Sequence, residues 1–339
     1  MKRSAAEIID DIHPMKSVKK YDKNWKQFQE YSKLNNEKPN EENFLQYFDY
    51  LKREKKLASS TLWSIYSMLN NKLQLYHGGK LQAYPRLTLL LKSYEAGYKR
   101  KTASVFSKED IFNFLENAPN EKEFIHMKAA VTVCYFGGLR CADLANLNSD
   151  DFEFNESTGM WVTYSVSKQK GEQFNNKFNI PLEYCGFLEK YDNMLADCEA
   201  SEGRFMKSYR LHKDGRSDYT KQPMGVHLLV KITQNVATFL KLEQPTTYTG
   251  HAMRRTSANM LAEAGASSTS LQKHFNWKNQ NTALKYVDNT TSQKLSIASL
   301  MKKQPSSSSG IHMQNHTSER AEQSKIINFS NCSNIVFNF

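Results

Sequence analysis

The sequence predicts a mainly α-helical protein carrying a small antiparallel β-sheet, an α+β chain of two domains. Three observations lead there. Apolar residues recur at helical spacing through most of residues 21–98 and again beyond residue 106. Before the strand-like last residues 335–339, one stretch, residues 161–181, reads as strand, loop and strand. The chain has 339 residues, 39% of them hydrophobic and 24% charged, which is enough for two separate cores.

Taken in order, residues 1–20 are polar and basic, with Lys16, Lys19 and Lys20, and read as a flexible arm. Residues 21–98 hold four helical patterns. Trp25, Phe28 and Tyr31 form the first; Phe44, Tyr47, Phe48 and Leu51 the second. Leu62, Ile65, Tyr66, Leu69 and Leu73 form the third, and Leu87, Leu90, Leu91 and Tyr94 the fourth. Pro39, Asn40, Gly78, Gly79 and Pro85 separate them. Residues 99–105 begin with Lys99, Arg100 and Lys101, a basic linker suited to crossing a DNA backbone and readable also as a short nuclear-targeting run.

The second domain, 106–302, opens on Ser107-Lys108-Glu109-Asp110, a capping-box start to a helix. A further apolar helix over about 121–137 stops at Gly137-Gly138. Strands follow at Trp161–Val166 and Lys177–Pro181 around a basic hairpin loop. Helices are expected near 182–197 and 225–241, with a Gly- and Asp-containing loop at about 209–222 between them. Beyond residue 302 the composition turns to Ser, Asn, Gln and His, and residues 303–339 read as a low-complexity, disordered tail.

The formal net charge of +11 favours a polyanionic partner, since neutralising phosphates supplies affinity. The five cysteines, Cys134, Cys141, Cys185, Cys198 and Cys332, lack the short paired spacing of zinc sites and are expected to be reduced. No apolar run approaches a membrane span. A cytosolic or nuclear protein is expected.

Several residues could carry chemistry. His251 and Arg254, three apart, share a face of the first turn of a helix that Gly265 ends. A helix start also offers free N–H groups to phosphate. Arg140 emerges after the Gly-Gly break, and Asp143 stands one turn beyond it, placed to orient a neighbour or cap the next helix. Lys168 and Lys170 lie in the hairpin loop. Trp277 precedes Tyr286 by nine residues, and Tyr286 falls in a short helix over 281–287. Taken singly, each has a plain structural reading: an ion-pair partner, a solvated lysine, a core aromatic.

Their joint order is more specific. Arg in Gly-Leu-Arg-x-x-Asp-Leu, Lys between two strands, His-x-x-Arg on a helix, then Trp and Tyr resembles the tyrosine recombinase family over residues 20–302. The stretch Thr249–Leu300 resembles the Cre subgroup, with Trp277 rather than His274 in register with Tyr286. The segment 199–248 has no recognisable counterpart, and the tail fits a eukaryotic Crypton-type transposon recombinase or a gene derived from one.

The resemblance implies a C-shaped clamp of a helical core-binding, SAM-like domain and a catalytic domain. It implies Arg140, Lys168, His251, Arg254, Trp277 and Tyr286 as the catalytic set, with Tyr286 the nucleophile and Asp143 supporting. Lys99, Arg100, Lys101, Lys170 and Arg255 are expected to contact DNA. Double-stranded DNA is the implied partner, bound by a homo-tetramer that is a monomer or weak oligomer when free. The helix after Tyr286, with Leu295, Ile297, Leu300 and Met301, could dock into a neighbour. No cofactor or metal is implied. The implied location is the nucleus in a eukaryote, otherwise the cytoplasm. Two other readings remain open: a transposon-derived DNA-binding protein without recombination activity, and a type IB topoisomerase-like relaxing enzyme.

Overall fold

In the computed structural model, the described residues are 15–34, 37–98, 102–167, 173–288 and 290–301. The arm before residue 15, Lys99, Arg100, Lys101, Lys168, Lys170 and the tail with Cys332 lie outside them. The chain divides into two compact units, Met1–Ala258 and Asn259–Phe339.

The first unit begins with four helices: α1 Met15–Ser32, α2 Glu41–Arg53, α3 Ser59–His77 and α4 Pro85–Glu95. Helix α1 starts inside the stretch expected to be a flexible arm, so residues 15–20 are helical. Asn40 caps α2 by accepting from the Asn43 amide, with Asn43 returning the bond. Gly78, at φ +62°, ends α3 in the left-handed conformation. The apolar faces meet in one cluster, where Phe28 and Phe44 stack with centroids 4.4 Å apart.

A second, separate core is built from α5 Lys108–Asn117, α6 Lys122–Gly137, the short α7 Cys141–Asn146, α8 Leu182–Ala196 and α9 Val226–Phe239. The expected capping box is present: Ser107 Oγ accepts from the Asp110 amide, and Asp110 accepts from the Ser107 amide. Helix α6 is apolar on every side because sheet and helices cover it all round; Lys128 is inside as well, donating to Asn120.

The sheet has the order β1-β2-β3, all antiparallel, from Phe152–Asn155, Gly159–Ser167 and Gln173–Ile180. Val162 and Tyr164 alternate inward on β2, opposite Phe178 and Asn176 on β3. The loop expected at 209–222 is instead a β-hairpin, β4 Lys207–Leu211 with β5 Ser217–Pro223. Its strands are polar, and they hold because Tyr219 turns inward, donating to the Lys122 carbonyl at 2.6 Å, while Tyr209 stacks on buried His126.

Helix α10, Ala252–Glu263, contains the boundary between the units. The second unit continues with α11 Ser268–His274, α12 Gln280–Val287 and α13 Thr291–Leu300. Glu263 accepts from the Thr291 amide at the start of α13. Leu295, Ile297 and Met301 are 66%, 49% and 82% exposed, leaving α13 with an open apolar surface. Among the described residues, no helix is long and apolar enough to cross a membrane. Cys134, Cys141, Cys185 and Cys198 are free thiols, and burial pushes the Cys134 and Cys185 thiols up.

Candidate active site

The cationic residues of the first unit are set in place by the Gly137-Gly138 break. A Cβ on Gly137 would come within 2.4 Å of the Phe178 ring, so the end of α6 can approach β3 only with glycine there. Gly138, at φ +57°, ends the helix, its N–H donating to the Cys134 carbonyl. The freed Gly138 carbonyl accepts from Arg254 Nη1 at 2.7 Å. Arg254 is 6% exposed, so this bond fixes a guanidinium inside the protein.

Arg140 follows two residues later and is half-exposed. Its amide donates to Asp143 Oδ2 at 3.2 Å, and its guanidinium lies 3.5 Å from the same carboxylate. Asp143 therefore caps α7 and steadies Arg140 together.

Gly250 explains the start of α10. A Cβ there would lie 2.8 Å from both Cys141 Sγ and Val230 Cγ2, and the Gly250 carbonyl accepts from the Cys141 thiol at 3.4 Å. This close approach joins the beginning of α7 to the beginning of α10. His251 is exposed at that junction.

Sequence reasoning missed Tyr164 as a member of this neighbourhood. Burial raises its phenol pKa, and the bond accepted from Asn176 Nδ2 at 2.9 Å opposes this. The Asp143 charge raises it further, while the Arg254 and Arg140 charges lower it. The alternation along β2 is a signal that could have marked Tyr164 as inward-facing, but nothing local marks what it faces.

Arg255, expected to contact DNA, is half-buried and donates through Nη1 to the Ala103 carbonyl. Nearby, the Phe106 amide donates to Thr256 Oγ1 at 2.9 Å, and Ser104 pairs with Thr247 through backbone and hydroxyl. Residues 103–106 are thus tied to α10 and the segment before it.

The second unit holds the aromatic residues. Trp277 and Tyr286 stack, with centroids 5.2 Å apart and planes 9° from parallel. Trp277 also stacks on Phe275, at 4.7 Å and 16°. His274 meets the edge of Phe275 at 81°. The structure therefore brings Arg140, Asp143 and Arg254 together in the first unit and Trp277 and Tyr286 together in the second. Among the described residues there is no cluster of three or more His, Cys, Asp or Glu side chains able to hold a metal ion.

Residues 104–293, more than half of the chain, match the phage integrase family. The chain belongs to that family, the tyrosine recombinases. A probable integrase/recombinase of Acholeplasma phage L2 is 24% identical over 248 residues, covering 73% of this chain and 76% of the relative. Among solved structures, the Tn1549 transposon integrase in complex with circular intermediate DNA aligns with a TM-score of 0.52. The identity is 18%, over 76% of this chain and 85% of that one. The same integrase with transposon right end DNA gives 0.52 at 16% identity, over 77% and 85% of the two chains. At these identities the likeness is one of fold.

Proposed function

We propose that the protein is a site-specific DNA recombinase that cleaves and rejoins duplex DNA through a 3′-phosphotyrosyl intermediate. The observation that supports this best is a pair of guanidiniums held next to one helix end: Arg254 on the Gly138 carbonyl, and Arg140, two residues beyond Gly138, on Asp143. Two guanidinium forks at one place suit the nonbridging oxygens of a phosphodiester, whose charge grows in the transition state. The DNA-bound state of the Tn1549 integrase, which shares the fold, adds to this reading.

In the proposed reaction Tyr286 Oη attacks phosphorus and the bond from phosphorus to the 5′ oxygen breaks. His251 takes the phenolic proton, and Lys168 protonates the departing oxygen. Trp277 donates its indole N–H to a phosphate oxygen. Reversal by a different 5′ hydroxyl rejoins the strand, so bond energy is kept in the phosphotyrosine and the protein groups carry each step.

Residues 21–98 and 106–302 would be the two DNA-binding halves, joined by the linker 99–105 with Lys99, Arg100 and Lys101. Lys170 and Arg255 would add backbone contacts. Four protomers would assemble on paired sites, with the exposed Leu295 and Ile297 of α13 and Met301 at its end available to a neighbour.

A nicked suicide substrate carrying the target sequence, obtained by covalent capture on genomic DNA and sequencing of the attached ends, tests the proposal. Wild-type protein should form an adduct that survives denaturation; Tyr286→Phe should bind the DNA and form none. Binding by both without any adduct would instead support a DNA-binding protein lacking strand transfer.

A further inference from the structure

The ring stack in the second unit extends beyond the proposed nucleophile and its tryptophan. Phe275, Trp277 and Tyr286 form a column of near-parallel rings, with the indole as the shared member. Phe275 is fully buried, whereas Trp277 and Tyr286 are half-buried. The column therefore has an anchored end and an accessible end, and the accessible end carries the phenol.

On a helix, residues two apart do not stack, because the turn sends their side chains to nearly opposite faces. Here the end of α11 permits it. The Trp277 amide donates to the Gln272 carbonyl at 3.0 Å and the Asn276 amide to the Lys273 carbonyl at 3.1 Å. These are the two bonds of a Schellman turn, with Asn276 in the left-handed position at φ +50°. Gln272 Nε2 also donates to the Trp277 carbonyl at 3.1 Å, closing the turn from the side-chain direction. The reversal at Asn276 brings the 275 and 277 rings into register. Helix α12, capped by Asn279, then sets Tyr286 on the same indole.

We propose that Phe275 is a positioning residue for Tyr286, acting through the Trp277 indole, with the left-handed Asn276 turn setting the ring spacing. This rests on the reading of Tyr286 as nucleophile. In-line attack depends on where the phenol oxygen points, and misplacement by about 1 Å can cost on the order of a hundredfold in rate. A ring held on an indole that is itself held on a buried ring has a defined plane before DNA binds. Removing the buried ring frees the indole to tilt, and the phenol tilts with it.

The test uses the full chain with 3-fluorotyrosine placed at position 286. In the wild type, the ¹⁹F resonance should be displaced from that of an exposed fluorotyrosine by the ring current of the stacked indole. Phe275→Met, which keeps bulk but no ring, should move the resonance toward the exposed position. Without the label, that variant should slow single-turnover adduct formation about tenfold or more while DNA affinity is unchanged. Phe275→Tyr should restore both. A wild-type resonance at the exposed position overturns the proposal even if Phe275→Met does not fold. So does a folded Phe275→Met whose resonance and cleavage rate match the wild type. If the wild type forms no adduct at all, the nucleophile reading fails, and the resonance alone still decides whether Phe275 sets the place of Tyr286.

Discussion

The cationic cluster and the ring column are built in opposite ways. Arg254 is held by the carbonyl of Gly138, 116 residues away, and Cys141 meets Gly250 across 109 residues. Ser257 reaches the Tyr135 carbonyl across 122 residues. The rings of Phe275, Trp277 and Tyr286 all fall within residues 275–286, joined by one helix-ending turn and one short helix. A cluster of like charges has no local reason to form, so only the packing of distant elements can hold it. A ring stack is favourable by itself, and a local turn suffices to organise it.

The largest effect expected is from Arg254→Lys. A lysine cannot reproduce the fork, so adduct formation should fall about a hundredfold or more in a single-turnover assay. It would also deprive the Gly138 carbonyl of its donor, a loss of about 1–3 kcal/mol measurable by urea denaturation.

Acid should strike the first unit through His126. Burial lowers its pKa from 6.5 to about 4, with the Lys122 carbonyl opposing. The unfolded histidine therefore takes a proton at a higher pH than the folded one. The stability linked to its neutral form is complete above about pH 6.5 and is lost as pH falls toward 4, about 3 kcal/mol in all. Denaturant melts between pH 7 and pH 4 should show this loss in the wild type and a smaller one in His126→Phe.

Gly137→Ala should cost about 1–3 kcal/mol, because its Cβ would meet the Phe178 ring at 2.4 Å. It should weaken adduct formation while leaving the fluorine signal of Tyr286 in place; movement of that signal would break the contrast between the two regions. The smallest effect should come from Asn276→Gly, since glycine adopts the left-handed conformation without strain. Valine there is strained by about 1–3 kcal/mol and should shift the fluorine signal, whereas glycine should be close to neutral in thermal melts.

Much of the fold could be read directly. The breaks at Pro39-Asn40, Gly78 and Gly137-Gly138 end or begin helices where expected, since capping and left-handed closure are local chemistry. The hairpin β4–β5 was not read, although Asp214-Gly215 is a turn dipeptide between its strands. Its strands carry Ser, Asp, Lys, Arg and Thr and look like a loop until Tyr219 finds the Lys122 carbonyl and Tyr209 finds His126. For the proposed site, the order along the chain put forward Arg140, Lys168, His251, Arg254, Trp277 and Tyr286. It did not put forward Tyr164 or Phe275, because each resembles an ordinary core aromatic until its neighbours are known.

By itself, then, the sequence determined the helices, their caps, the basic character and the order of residues that marks the family. The tertiary structure alone decided that Arg254 is buried against the Gly138 carbonyl and that Cys141, beside Arg140, meets Gly250, beside His251. The reason is range. Backbone propensity and capping are settled within a few residues, whereas placing two cations together or burying a guanidinium costs free energy that only contacts from distant parts of the chain can offset.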